Sequence, residues 1–163
     1  MINQRLRCGD FEADTLGVPR SSRETLAGAV DRKSRLFLAK KITGLRETIP
    51  ALSELINSYQ PLSLTLDNGF ENARYNTLNI PTFFCHPFSA WEKPSIENTF
   101  QRLRRYIPKK SRLVRYSDEK ISAIIEKMNK TPRKCLGWKT PEEVFYQEKQ
   151  PVQLKIINLK CCT

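Results

Sequence analysis

The alternation of apolar and polar residues predicts five β-strands in the first half of the chain. The predicted strands cover residues 9–16, 24–31, 35–42, 63–67 and 81–85. Apolar residues at helical spacing over residues 46–59 predict a helix between the third and fourth strands, and a short helical piece precedes the last strand. Three strands in a row, then helix, strand, helix and strand, indicate a mixed sheet with parallel crossovers and helices on its faces.

The second half of the chain is predicted to be helical. Ser95 can cap a helix that runs to about Tyr106, with Ile96, Phe100 and Leu103 on its apolar face. Two further helices are predicted over residues 117–129 and 141–146, separated by an irregular basic loop. The chain is therefore expected to be an α/β protein with one sheet and covering helices.

The first predicted strand carries three carboxylates on one face, Asp10, Glu12 and Asp14. Buried together, they would repel one another unless a bound cation relieved the charge. The alternative is an edge strand whose acidic face lies in water. This segment alone leaves both interpretations open.

The fourth predicted strand ends in Asp67, followed by Asn68 and Gly69. Asn-Gly is a strong hairpin signal, but a carboxylate at a strand end also suits the mouth of an open α/β sheet. In a sheet of this order Asp14 and Asp67 can end neighbouring strands, and the next helix brings Glu97 in its first turn. Glu97 is also explained by the helix dipole alone. If the three carboxylates converge, they suit Mg²⁺ or Mn²⁺, and two such ions would activate a water or a 3′-hydroxyl.

The net charge of the chain indicates what kind of partner it binds. The 163 residues contain 28 Lys and Arg against 17 Asp and Glu, for a net charge of +11, which favours nucleic acid as the partner. No apolar run approaches the roughly 18 residues of a membrane span, so no membrane partner is expected. The residues expected to contact DNA phosphates are Arg102, Arg104, Arg105, Lys109, Lys110, Arg112, Arg133 and Lys134.

The five cysteines are expected to be reduced thiols in a cytoplasmic protein, because their number is odd and no pair has C-x-x-C spacing. Cys85 and His86 are adjacent, but two ligands do not make a zinc site and His86 is the only histidine. A strand-end cysteine and a loop histidine are the favoured interpretation.

The order of these motifs resembles the catalytic domain of DDE transposases of the insertion-sequence-thirty family, in the retroviral-integrase superfamily. The matching stretches are residues 9–15, 30–35, 65–69, 86–93, 96–99 and 129–141. The resemblance implies a ribonuclease H-like catalytic core over residues 1–108, a basic helical extension of the same domain over 109–150, and a tail of unknown role over 151–163. It selects Asp14, Asp67 and Glu97 as catalytic metal ligands for Mg²⁺ or Mn²⁺. It also implies double-stranded DNA at transposon ends and target as the partner, a homo-oligomer on DNA, and a bacterial cytoplasmic location at the nucleoid.

The chain departs from the family pattern at Phe11 and Ala13, where Trp and Gly are usual, and at Pro94, where Gly is usual. The interval between Asp67 and Glu97 (97 − 67 = 30) is also short. Because the helix-turn-helix region of the family is not in this sequence, we expect a fragment or the product of a disrupted reading frame. The predicted function is two-metal-ion DNA strand cleavage and transfer. The alternatives are a catalytically inactive DNA-binding remnant and, less favoured, a nuclease acting on another nucleic acid.

Overall fold

A mixed five-stranded sheet organises the protein. The computed structural model describes residues 5–16, 23–69, 72, 74–86, 89–109 and 111–149. The strands are β1 (Asp10–Leu16), β2 (Glu24–Asp31), β3 (Phe37–Thr43), β4 (Ser63–Leu66) and β5 (Thr82–Phe84), in the spatial order β3-β2-β1-β4-β5. β1, β2 and β3 are antiparallel neighbours, whereas β4 runs parallel to both β1 and β5. The predicted sheet with parallel crossovers is therefore confirmed.

Four α-helices accompany the sheet in the described part of the chain: α1 (Thr48–Asn57), α2 (Pro94–Leu103), α3 (Asp118–Asn129) and α4 (Pro141–Lys149). Short 3₁₀ turns lie between them, including Leu45–Glu47 before α1 and Lys134–Leu136 before α4. Ser117 caps α3 by accepting a hydrogen bond from the Lys120 backbone N–H. None of these helices has both the length and the apolar character that a membrane crossing requires.

The two sides of the sheet bury different sets of apolar residues, because successive side chains of a strand point to opposite faces. On one side, Phe11 and Ala13 of β1 pack with α1 and with Phe145 of α4. On the other side, Leu16 of β1 and the apolar residues of α2 and α3 form a second cluster. Glu12 and Asp14 share the face of Leu16, so they point toward the side covered by α2.

Close packing of α2 on the sheet depends on Gly28 in β2. A Cβ atom built at Gly28 would lie 2.8 Å from the Phe100 ring, which is closer than such contacts occur. Gly28 also pairs with Asp14 across the β1–β2 ladder. The missing side chain therefore lets α2 lie directly against the strand that carries Asp14.

The structure decides the alternatives that the sequence left open. β1 is the central strand, so the edge-strand interpretation of its acidic face is wrong. β4 and β5 are parallel, so Asn68 and Gly69 do not form a hairpin turn. Ser95 is not the cap of α2, which begins at Pro94 with no cap from the preceding Lys93 side chain and ends at Leu103 rather than near Tyr106. Residues 151–163, the predicted tail, lie outside the described residues.

Candidate active site

Asp14 and Asp67 lie at equivalent points of two neighbouring parallel strands. β1 and β4 pair with Glu12 opposite Thr65, and both aspartates come two residues further along their chains. Their carboxylates therefore meet at the edge of the sheet where parallel strands end, as the strand order predicted. In α/β sheets, ligands bind at this kind of edge.

The Lys93 ammonium lies between the two carboxylates. Its Nζ is 3.0 Å from Asp14 Oδ2 and 3.5 Å from Asp67 Oδ2, and it also donates to the Ala13 carbonyl at 3.3 Å. Only 5% of the Lys93 side chain is exposed, against 27% for Asp14 and 42% for Asp67. Burial alone would lower the pKa of the lysine, but the two aspartates outweigh it and the pKa is raised. Lys93 thus stays charged and offsets part of the negative charge of the pair.

Each aspartate uses its other oxygen to fix its own position. Asp14 Oδ1 accepts the Thr15 backbone N–H at 2.7 Å. Asp67 Oδ1 accepts the Asn72 side-chain amide at 2.7 Å and the Gly69 N–H at 3.3 Å. One oxygen of each carboxylate is therefore held by the protein, and the other faces the shared cation.

Glu97 lies apart from this pair. It occupies the first turn of α2, its side chain is exposed, and its backbone N–H donates to the Lys93 carbonyl at 3.4 Å. Across the residues that the structure describes, no three His, Cys, Asp or Glu side chains are close enough together to hold a metal ion. The structure thus joins Asp14 and Asp67 and leaves Glu97 one helical turn from the lysine between them.

Glu12 holds the beginning of the helix that carries Glu97. Its Oε2 accepts the backbone N–H groups of Ser95 and Ile96 at 2.7 and 2.9 Å, and its Oε1 lies 3.1 Å from Arg32 Nε. Glu12 is fully buried, so this contact fixes α2 against β1. A carboxylate at a helix N-terminus is also favoured by the helix dipole. It replaces the cap that was expected from Ser95.

Asp10 has a different set of partners at the other end of β1. Arg7 lies 3.0 Å from its Oδ2, and Ser63 Oγ donates to its Oδ1 at 2.6 Å. Burial would raise the pKa of this carboxyl, but the Arg7 and Ser63 contacts lower it overall. Of the three carboxylates on this face, only Asp14 lies with Asp67.

The residues expected to contact DNA occupy different environments. Those on the surface are Arg102, Arg105, Lys109, Arg112 and Lys134. Arg104 is half-buried, Arg133 is buried, and Lys110 lies outside the described residues. Five of the eight residues are therefore exposed, whereas Arg133 is buried.

Cys85 and His86 do not form a metal site with the described residues. The His86 Nδ1 atom lies 2.8 Å from a Glu92 oxygen on the surface, and Cys85 is buried, which raises the pKa of its thiol. Cys8, Cys85 and Cys135 are free thiols, whereas Cys161 and Cys162 lie outside the described part of the chain.

The sheet order and the two crossovers define the class: this is the ribonuclease H-like fold of integrase catalytic cores. The catalytic core domain of BIV integrase aligns with a TM-score of 0.65 and 20% identity, over 91% of this chain and 98% of that one. A chain of the simian T-cell lymphotropic virus intasome aligns with a TM-score of 0.68 and 18% identity, over 90% of this chain and 57% of that one. No protein-family model matches the chain.

In sequence, the chain is similar to transposases of bacterial insertion sequences. It is 32% identical over 154 residues to transposase InsI for insertion sequence element IS30A of Escherichia coli, covering 88% of this chain and 39% of that protein. It is 35% identical over 156 residues to the transposase for insertion sequence element IS1086 of Cupriavidus metallidurans, covering 90% and 45%. The resemblance predicted from the motifs is confirmed, and the chain spans less than half the length of these relatives.

Proposed function

We propose that this chain is the catalytic core of a DNA transposase that cleaves DNA strands and joins them to a target. The observation that carries the proposal is the Asp14–Asp67 pair, which holds a cation at the edge where two parallel strands end. The relatives named as transposases support the reaction class, and the integrase catalytic cores support the fold.

The donor set suits Mg²⁺ or Mn²⁺, because carboxylate oxygens are the ligands that these ions prefer. The Lys93 ammonium is a stand-in for such an ion, since it contacts both carboxylates, but its single charge offsets only half of theirs. We propose Asp14, Asp67 and Glu97 as the metal ligands, with two ions bound. When bound, the ions would activate a water or a 3′-hydroxyl and stabilise the leaving oxygen.

The chain's own residues would prepare this site. Thr15 and Asn72 hold one oxygen of Asp14 and of Asp67, which leaves the other oxygen of each free to exchange its partner. Glu12 fixes the start of α2, so the helix that carries Glu97 is anchored to the strand that carries Asp14. Lys93 has to release both aspartates when a metal ion enters.

The basic residues would hold the DNA backbone near this edge. Arg102, Arg105 and Lys109 follow Glu97 on α2 and the segment after it, and all three are exposed. Lys and Arg neutralise phosphates and release counterions, so binding would be strong at low salt and nearly independent of sequence. Transposon ends and target duplex are the proposed substrates, a homo-oligomer on DNA the proposed assembly, and the nucleoid of the bacterial cytoplasm the proposed location.

One observation favours a second candidate, a catalytically inactive DNA-binding remnant. Lys93 occupies the space between the two aspartates, and Glu97 does not join them as a third ligand among the described residues. If the lysine keeps its place, the chain would bind DNA without cleaving it.

Cleavage of a supercoiled plasmid with Mn²⁺ or Mg²⁺ tests the two candidates. The catalytic proposal expects metal-dependent nicking by the unchanged chain and its loss in Asp14→Asn, Asp67→Asn and Glu97→Gln, because the ligands act as one unit. Asp10→Asn is the matched control and should keep nicking, since Asp10 has its own partners on β1. Retention of plasmid by a chain that never nicks it would support the remnant, and loss of nicking in Asp10→Asn but not Asp14→Asn would overturn the assignment on β1.

A further inference from the structure

A cleft of about 740 Å³ lies where α4 and the loop before it face the connection between β2 and β3. Four of the described side chains that line it are cationic, and they come from three separate parts of the chain: Arg5, Lys33, Arg35 and Lys139. The described lining includes one carboxylate, that of Glu148. These side chains therefore give the cleft a formal excess of three positive charges. None of the four cations belongs to the basic set expected from the sequence.

The carboxylate that lines the cleft is already engaged. Glu148 Oε2 lies 2.5 Å from Lys33 Nζ, and Glu148 Oε1 accepts the Cys8 backbone N–H at 2.9 Å. Glu148 can therefore offset one of the four positive charges. The other three cations line the cleft with no second carboxylate among its described lining residues.

Two of these cationic side chains are held by neutral partners. Lys139 Nζ donates to Gln147 Oε1 at 3.0 Å, and the Arg35 guanidinium donates to Ser95 Oγ in the first turn of α2. An ammonium has three N–H donors and a guanidinium has five, so each side chain keeps donors for a further acceptor. Because the partners are neutral, both side chains keep their full positive charge for an anion.

The cleft and the aspartate pair lie toward opposite ends of β1. Lys33 follows Asp31, which pairs with Phe11 at the beginning of β1. Asp14 pairs with Gly28, three residues further along both strands. Each strand residue advances about 3.3 Å, so this interval alone is about 10 Å. The cleft is therefore a surface separate from the edge that carries the two aspartates.

We infer that this cleft binds the phosphate backbone of DNA, as a second contact beside the one proposed at the catalytic edge. The occupant follows from charge: cations from three parts of the chain line one open cleft, and duplex DNA carries about one negative charge per 1.7 Å of its axis. Lys and Arg that neutralise phosphates release counterions, which favours a polyanion over a single small anion. The choice of DNA rests on the proposed function. The contacts are to phosphates, so binding in the cleft should not depend on sequence.

Chemical modification of Cys135 locates the DNA directly. Cys135 is an exposed thiol that lines the cleft, whereas Cys8 and Cys85 are buried. Saturating duplex DNA at low salt should slow the reaction of Cys135 with N-ethylmaleimide, an uncharged reagent, severalfold. High salt should restore the rate, because it releases the DNA. Mass spectrometry of the peptides separates the label on Cys135 from any label on Cys161 and Cys162.

Charge substitutions measure the same contact in solution. Arg5→Gln combined with Lys139→Gln should weaken duplex binding at low salt at least about tenfold. It should also lower the slope of log K against log salt concentration by about two, because each phosphate contact contributes about 0.9. Lys40→Gln combined with Lys120→Gln is the matched control. It removes the same charge from two exposed lysines outside the cleft lining, so it should have little effect on either quantity.

Removing the carboxylate from the cleft should have the opposite effect. Glu148→Gln keeps an oxygen for the Cys8 N–H and releases Lys33 from its ion pair, so duplex binding should tighten severalfold. Glu54→Gln is the matched control, because it removes a carboxylate that is paired with Lys40 on the exposed surface. It should leave the affinity for duplex nearly unchanged.

Three results would overturn the inference. The first is an unprotected Cys135 in a chain saturated with duplex. The second is protection of Cys135 by poly-glutamate but not by duplex, which would make the occupant an acidic peptide. The third is an unchanged affinity and salt slope in the Arg5→Gln, Lys139→Gln variant. Because no cleavage is measured, these results are independent of the proposed catalysis. A chain whose Cys135 is protected by DNA and which never nicks it would contradict the proposed catalysis alone.

Discussion

Replacing Lys93 by methionine should weaken the protein without metal and strengthen its binding of Mn²⁺. The change keeps most of the buried aliphatic stem and removes the ammonium, which lies 3.0 Å from Asp14 and 3.5 Å from Asp67. The unchanged protein must break these contacts before an ion can take their place. The same contacts therefore stabilise the metal-free fold and oppose the metal.

The loss of stability in Lys93→Met can be worked out from how exposed its two ion-pair contacts are. A hydrogen bond between charged groups contributes about 1.5–3 kcal/mol, which applies to the shorter and better-shielded contact with Asp14. Asp67 is 42% exposed, so water and salt screen its contact and it adds about 0–1 kcal/mol. Since these figures are already net of desolvation and the Asp14 contact dominates, the loss is about 2 kcal/mol. For a chain of this size that loss lowers the Tm by about 4–8 °C.

The gain in metal affinity has the same origin. The roughly 2 kcal/mol that the lysine contacts contribute opposes metal binding in the unchanged protein and is absent in Lys93→Met. Because each 1.4 kcal/mol is a factor of ten, the Mn²⁺ affinity of Lys93→Met should be about 30-fold higher. A titration of Tm against Mn²⁺ measures both effects in one experiment. The expected result is a lower starting Tm, and a rise that begins at a lower Mn²⁺ concentration than in the unchanged protein.

Lys41→Met is the matched control. Lys41 is also a partly buried, paired lysine, 3.3 Å from Asp118 and donating to the Tyr116 carbonyl, but it lies away from both aspartates. Its replacement should lower the Tm in the absence of metal without changing the Mn²⁺ concentration dependence. Equal Mn²⁺ affinities in the unchanged protein and Lys93→Met would refute the reasoning.

Three further predictions follow from the same structure. Asp67→Asn should remove most of the Tm rise caused by Mn²⁺, measured by the same titration, because it deletes a ligand of the pair. Gly28→Ala should cost about 1–3 kcal/mol in chemical denaturation, since its Cβ would lie 2.8 Å from the Phe100 ring, and adding Phe100→Leu should restore part of the loss. Asp10→Asn should lower the free energy of unfolding at neutral pH. The pKa of the Asp10 carboxyl is lower in the folded protein than its ordinary value of 3.8. The difference in stability between Asp10→Asn and the unchanged protein should therefore disappear as the pH falls below 3.8 and through the pKa of Asp10 in the folded protein.

The strands and their order could be predicted from the sequence because their signals are local. β2 covers the predicted residues 24–31, and the other strands differ by one or two residues at their ends. The order of strands and helices then allowed the fourth strand, reached from the third through a helix, to lie beside the first. That step alone brought Asp14 and Asp67 together, with no information about side-chain contacts.

Lys93 could not be predicted as part of the site, because its partners are distant in the chain. It lies 79 residues from Asp14 and 26 (93 − 67) from Asp67. In sequence it is one lysine of a basic protein, placed just before a helix. The local signal that could have drawn attention to it is its position four residues before Glu97 in a matched stretch of the resemblance.

The cap of α2 and the burial of Arg133 were missed for a related reason. Ser95 has the side chain that local preference puts at a helix cap, but a carboxylate 83 residues away takes its backbone N–H instead. Arg133 belongs to a basic run, and such runs usually lie in water. Tertiary contacts override both local preferences, and these contacts are what a single sequence does not display.

The exposure of the carboxylates on β1 explains why only one end of the strand can become a metal site. Asp10, Glu12 and Asp14 each meet a cation of the protein: Arg7, Arg32 and Lys93. The side chains of Asp10 and Glu12 are 4% and 0% exposed, so an incoming ion would have to lose its water to reach either carboxylate. Asp14 is 27% exposed and faces the still more exposed Asp67. At that end of β1 a metal ion could keep some of its bound waters. The Lys93 ammonium could move into solvent when the ion displaces it. The repulsion that three carboxylates on one face would cause is thus relieved by two arginines and by a lysine, and the proposal requires that only the lysine be exchanged for a metal ion.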